Sequence, residues 1–238
     1  MKIGVYDSGI GGLTILNTLI DKFPNNEYVY YGDTLNIPYG NKTKEELISL
    51  SNKAFKFFIS KNVDMVILAC GTMCTNIIDY LENEYSIKII NIVSSTIKYI
   101  NNSNYKNIGV IATTNTVKSN VFKNNVCKNI KQVECPLLVP IIEQNNYDKL
   151  DDYLDLYLKD LKDIDLLVLG CTHYKVVLDR IKKHINCDII DMSININDIS
   201  DNGISSINLY FTKLGDNILF NISKILNDKE YIVHELVN

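Results

Sequence analysis

Apolar residues along this 238-residue chain fall into two kinds of run. Four runs are short, nearly continuous and rich in branched side chains: KIGVYD (2–7), VDMVILACGT (63–72), NIGVIAT (107–113) and IDLLVLGCT (164–172). Runs of this length and make-up predict strands buried on both faces. Between them, apolar positions recur at helical spacing. In TKEELISLSNKAFKFFISKN (43–62), Leu47, Leu50, Ala54, Phe57 and Phe58 form the stripe, and Thr43 with Glu46 makes a capping box. DKLDDYLDLYLKDLKD (148–163) shows the same habit with Leu150, Leu154, Tyr157 and Leu161. Strands alternating with helices predict an α/β protein whose parallel sheets are covered on both faces.

The pattern occurs twice. KIGVYD resembles NIGVIAT, and VDMVILACGT resembles IDLLVLGCT, in the same order and at nearly the same spacing. Two pseudo-symmetric α/β halves follow. The expected division is residues 1–93 plus 207–238 for the first, with NILFNISKILN (217–227) as a returning helix, and 94–206 for the second. Parallel sheets bind ligands beyond the carboxyl ends of their strands. Asp7–Ser8, Cys70–Thr72, Thr113–Thr116 and Cys171–His173 all stand at such ends. Halves that face each other would line one cleft and give it one cysteine each.

Composition narrows the partners. The chain is 46% hydrophobic and 22% charged with a net charge of −4, which fits a soluble globular protein. It has no Lys/Arg block, so no nucleic-acid partner is expected. No apolar run approaches the ~18 residues of a membrane span, and the N-terminus reads as no secretory leader. The six cysteines lack paired C-x-x-C spacing and read as reduced thiols of a cytoplasmic protein. Arg180 is the sole arginine, so an acidic substrate would be held mostly by something other than a guanidinium. The many Asn and Lys look like base bias in the coding sequence and carry no functional weight.

Two facing thiols suit proton transfer at carbon. A thiolate on one face could take a proton while a thiol on the other delivers one, inverting the carbon without a cofactor. Asp7 and His173 are placed to tune the thiols. DSGIGGLT (7–14), with small residues leading into a helix, suits an anion. Ser8, Thr72, Thr113, Thr116 and Thr172 could supply hydroxyls. The glycines fit neither a dinucleotide fingerprint nor a P-loop. His184 and Cys187 are too few for a metal site, and no metal is expected. Cys74, Cys127, Cys135 and Cys187 read as packing residues.

GVYDSGIGGLT (4–14), YYGDTLNIPYG (30–40), CPLLVPIIE (135–143) and LGCTHY (169–174), in this order, resemble glutamate racemases of the aspartate/glutamate racemase superfamily. The resemblance covers nearly the whole chain. It implies two flavodoxin-like domains with the active site between them, no cofactor, and a small amino-acid substrate. It implies that Cys70 and Cys171 are the acid/base pair, Cys70 acting on the D-isomer and Cys171 on the L-isomer. Asp7 and Ser8 would contact thiol and substrate, Pro38, Tyr39 and Gly40 would form part of the substrate loop, and His173 would assist Cys171. Thr72, Thr113, Thr116 and Thr172 would bind substrate, with Glu143 as an acid–base partner behind them. The implied product, D-glutamate, serves bacterial cell-wall synthesis. The resemblance leaves the oligomeric state open, a homodimer included.

Three positions depart from the family pattern. Where the family reads Cys-Asn-Thr, this chain reads Cys70-Gly71-Thr72, so Gly71 is expected to leave a place beside the substrate for water or for a different substrate group. HYK (173–175) carries Lys175 where the family usually has Pro. LYFTKLGDN (209–217) follows IIDMS (189–193) sooner than usual, which would alter the hinge or an oligomer surface. Alternatives are a racemase for aspartate or another amino acid, a non-catalytic amino-acid-binding regulator, and a thiol redox protein using Cys70 and Cys74.

Overall fold

The two cysteine-bearing runs become central strands of two separate parallel sheets. The computed structural model describes residues 1–197, 199–201 and 203–236. Its first sheet holds β1 (Lys2–Asp7), β2 (Glu27–Gly32), β3 (Met65–Leu68), β4 (Lys88–Asn91), β9 (Ser206–Phe211) and β10 (Ile232–Glu235) in the order β10-β9-β2-β1-β3-β4. The second holds β5 (Asn107–Ala112), β6 (Asn129–Glu134), β7 (Leu166–Leu169) and β8 (Asp188–Asp191) in the order β6-β5-β7-β8. Every pairing is parallel. The first four strands of each half therefore share one order, 2-1-3-4, which is the flavodoxin-like winding.

Burial explains why these runs are strands. Met65–Leu68 and Leu166–Leu169 are buried at every position, as inner strands covered on both faces must be. The repeated glycine of the two first strands makes room for packing. A Cβ on Gly4 would crowd the Phe58 ring, and one on Gly109 would crowd Ile164.

The helix Lys44–Ser60 starts at Thr43 with the expected reciprocal cap: the Glu46 N–H donates to Thr43 Oγ1, and the Thr43 N–H donates to Glu46 Oε2. Its buried face is Leu47, Ser51, Ala54, Phe55 and Phe58. Leu50 and Phe57 are only partly buried, so the stripe is rotated from the expected one, and Phe55 takes the inner place. The second expected helix is shorter, Leu150–Leu158, with Leu161 buried beyond its end. The helix Asp216–Ile225 is followed by β10, a strand too short and too interrupted to stand out in the sequence.

The short crossing back to the first half is pinned to that half by hydrogen bonds. Lys22 donates to the carbonyl of Ile196 at 2.9 Å and to Asn197. Asp201 accepts the Asn25 N–H at 2.6 Å. Among the described residues, no helix is long and apolar enough to cross a membrane.

Candidate active site

Register brings the thiols to equivalent places. Tyr6 of β1 pairs with Leu68 of β3, and Ile111 of β5 pairs with Leu169 of β7. Two residues past each partner stands a cysteine, Cys70 or Cys171, extended and immediately before a helical turn. These are the points where strand order reverses, the usual ligand position in such sheets. Both thiols are nearly buried, and both line one cavity of about 20 Å³, the room of roughly one water. Ser8, Pro38, Tyr39, Gly40, Gly71, Thr72, Thr113, Thr172 and His173 share that wall.

Each thiol has its own polar partner. Cys70 Sγ lies 3.9 Å from Ser8 Oγ. Burial pushes the Cys70 thiol well above its ordinary pKa, and the negative charge of Asp7 adds to this. Cys171 Sγ lies 3.7 Å from His173 Nδ1, and His173 Nε2 lies 2.6 Å from Glu143 Oε1. Burial alone would lower the pKa of the imidazole. Hydrogen bonds to Cys171 and Glu143, together with their charges, outweigh burial and hold it well above its ordinary value. The surroundings of His173 therefore favour its protonated form, whereas those of Cys70 favour the neutral thiol.

Hydroxyls connect the halves. Thr72 Oγ1 lies 3.0 Å from Thr113 Oγ1, which lies 3.1 Å from Thr116 Oγ1. Thr172 donates to Asp7 Oδ2 at 3.1 Å. Asp7 is fully buried behind the wall; burial raises its pKa against the pull of His173 and of the Gly9 and Gly12 N–H groups. Thr116 and Glu143 likewise stand behind the cavity lining.

Three expectations need correction, and the placing of Tyr39 in its loop becomes specific. Two N–H groups of the loop after Asp7 are taken by the protein's own carboxylates instead of being left for a ligand: Gly9 donates to Asp7 Oδ1 at 2.8 Å and Ile10 to Glu143 Oε1 at 2.9 Å. The loop's Gly11 lets the chain press against Thr172 and His173. Gly71 leaves no empty place, because the Gly170 carbonyl fills it. The phenol of Tyr39 turns inward to Asp33 at 2.5 Å and Tyr6 at 3.0 Å, so this residue meets the cavity without offering it a free hydroxyl. Cys127 is exposed instead of packed, whereas Cys74 and Cys135 are buried.

Asn41, Thr114, Pro136, Val139 and Gly170 complete the lining. None carries chemistry that would single it out in a sequence. Lys175, at the position that departs from the family pattern, pairs with Asp191 at 2.9 Å and donates to Thr18 at 3.1 Å, tying the second half to the first. His184 is paired with Asp151 and Asp155 at the surface. Among the described residues, no three His, Cys, Asp or Glu side chains converge to hold a metal ion.

Fold and wall together define a cleft between two related α/β halves, lined by two thiols, an imidazole and several hydroxyls. Residues 18–193 match the family described as Asp/Glu/Hydantoin racemase. The chain is 38% identical over 218 residues to glutamate racemase of Fusobacterium nucleatum, covering 87% of this chain and 83% of that protein. It is 35% identical to glutamate racemase of Aquifex pyrophilus over 95% of this chain and 94% of the relative. The solved structure of the Aquifex pyrophilus enzyme superposes with a TM-score of 0.83, covering 98% of each chain at 33% identity. That of Francisella tularensis glutamate racemase in complex with D-glutamate gives 0.85 over 99% of this chain and 97% of that one, at 27% identity. The chain belongs to the Asp/Glu/hydantoin racemase family and is an isomerase.

Proposed function

We propose that this protein interconverts L- and D-glutamate without a cofactor, using Cys70 and Cys171 as the two proton carriers. One observation carries the reading: repeat-related thiols stand at the two switch points and share one cavity. Glutamate is favoured as substrate because relatives at 35–38% identity over most of the chain bear that name.

Starting from L-glutamate, the Cys171 thiolate takes the Cα proton, and the electrons of that C–H bond stay on Cα. The Cys70 thiol gives its proton to the opposite face. The product is D-glutamate, with Cys171 now a thiol and Cys70 a thiolate, which is the starting state for the reverse direction. His173 Nδ1, 3.7 Å from Cys171 Sγ, is placed to exchange a proton with it. Buried Cys70 is poised as the proton donor. The Ser8, Thr72, Thr113 and Thr172 hydroxyls orient the substrate carboxylates, a role that needs no arginine. The D-glutamate formed would supply peptidoglycan synthesis in the cytoplasm.

The test is Cα hydrogen exchange in deuterium oxide, followed by mass spectrometry and chiral separation for each free amino acid. Glutamate is expected to gain one deuterium and to approach equal amounts of both isomers, before and after dialysis against a chelator. Preference for another amino acid would replace the substrate, and binding without exchange would leave a regulator.

A further inference from the structure

We infer that Gly71 is the spacer that sets the gap between the two thiols. It follows Cys70 directly, as Gly170 directly precedes Cys171. A Cβ on Gly71 would stand 2.6 Å from the Gly170 carbonyl oxygen, well inside the 3.4 Å at which ordinary contact begins. The obstacle is backbone, which no rotamer change can move aside. The other neighbours, Met192 Cε at 3.4 Å and Thr116 Oγ1 at 3.6 Å, would be ordinary contacts. No described glycine has a positive φ, so it is the close approach, and not the backbone conformation, that requires glycine at 71.

Neither side can retreat into its own half. Gly170 donates its N–H to the Ile111 carbonyl at 2.8 Å, and its own Cβ position would already lie 3.0 Å from Ala112 Cβ and Ile111 O. On the other side, the Cys74 N–H donates to the Cys70 carbonyl at 3.0 Å, and Thr75 Oγ1 donates to the Gly71 carbonyl at 3.0 Å. A side chain at 71 must therefore shift backbone, and the direct shift moves the two halves apart. Each thiol is one residue from this contact, so the displacement reaches both sulfurs.

This inference rests on the two-thiol reading. Inversion needs both sulfurs in reach of one Cα at once, whereas removal of the Cα proton needs only one. A wedge at 71 therefore separates two reactions. Glutamate bearing chlorine on Cβ reports the one-sided step: when a thiolate takes the Cα proton, the C–H electrons form a C=C bond and chloride leaves. A displacement of ~1 Å in a reacting pair can cost about 10²-fold in rate. Gly71 is on this view a positioning residue, and the Cys-Asn-Thr pattern marks relatives with a side chain where this chain has a backbone contact.

The experiment compares native protein with Gly71→Ala and Gly71→Asn. Asparagine is the residue of the family pattern, so its variant keeps the test in force if alanine does not fold, as judged by circular dichroism. Racemisation kcat is expected to fall by about 10²-fold with KM changed less than about threefold, while chloride elimination stays within about fivefold of native. Racemisation within about threefold of native, parallel loss of both reactions, or improved kcat/KM in Gly71→Asn would overturn the spacer role alone. A native protein that does not racemise glutamate would overturn the proposed function and the spacer role together.

Discussion

Glu143 Oε1 lies 2.6 Å from His173 Nε2 and also accepts the Ile10 N–H at 2.9 Å. One carboxylate thus holds the imidazole beside Cys171 and the glycine loop of the opposite half. The imidazole is nearly buried, and its hydrogen bonds to Cys171 and to this carboxylate compensate the loss of water and raise its pKa.

Glu143→Gln removes that compensation while keeping the shape. The pKa of His173 should fall, and the alkaline limb of the kcat/KM profile should move to lower pH. A hydrogen bond to a charged group contributes about 1.5–3 kcal/mol, so a loss of at least about tenfold is expected above neutrality and a smaller one at acid pH. The linkage has a definite sign. Because the folded-state pKa of His173 is raised, its stabilisation is complete below the ordinary histidine value and is lost as pH rises through the folded value. Melting curves of native and variant should therefore differ most on the acid side. An unchanged pH–rate profile would contradict the coupling.

Single cysteine variants should be selective between isomers. Cys171→Ala should stop exchange of the Cα hydrogen of L-glutamate while leaving some exchange of D-glutamate, and Cys70→Ala should do the reverse. Racemisation should fall by about 10²–10⁴-fold or more in each, with melting temperature little changed. Equal exchange of both isomers in either variant would exclude the assignment of one thiol to each face.

Thr72→Val tests the hydroxyl chain that crosses the cleft. It removes the partner 3.0 Å from Thr113 Oγ1 but leaves the Thr113–Thr116 contact. The loss of one buried hydrogen bond corresponds to about 1–3 kcal/mol, so KM for glutamate should rise about tenfold with a smaller change in kcat. Steady-state kinetics in both directions would check this. A kcat effect with unchanged KM would place Thr72 in the proton transfer itself.

Thr43→Ala should act on stability alone. The capping box at Thr43 and Glu46 satisfies two N–H groups at the start of the helix Lys44–Ser60, and neither residue lines the cavity. Its loss is expected to cost about 0.5–2 kcal/mol, lowering the melting temperature by roughly 2–4 °C per kcal/mol, with kcat/KM preserved. An activity loss without a melting shift would contradict the reading.

What the sequence determined by itself was everything governed by local period and repeat. The cysteine-bearing runs declared themselves as inner strands because a strand covered on both faces must be apolar throughout. The doubled order of those runs relates Cys70 to Cys171 without reference to any contact. The cap at Thr43 was legible because its two hydrogen bonds join residues three apart. The tertiary structure decided what depends on distant segments meeting. Only the closed cleft shows that Ile10 spends its N–H on Glu143, that Asp7 reaches Thr172 across the halves, and that the Tyr39 phenol belongs to Asp33. Gly71 separates the two levels most clearly. A missing side chain reads as free space along a chain, but here the Gly170 backbone, 99 positions away in the other half, occupies that space. Hydrogen-bond satisfaction and close packing are properties of neighbours in space, so a periodic pattern along the chain cannot carry them.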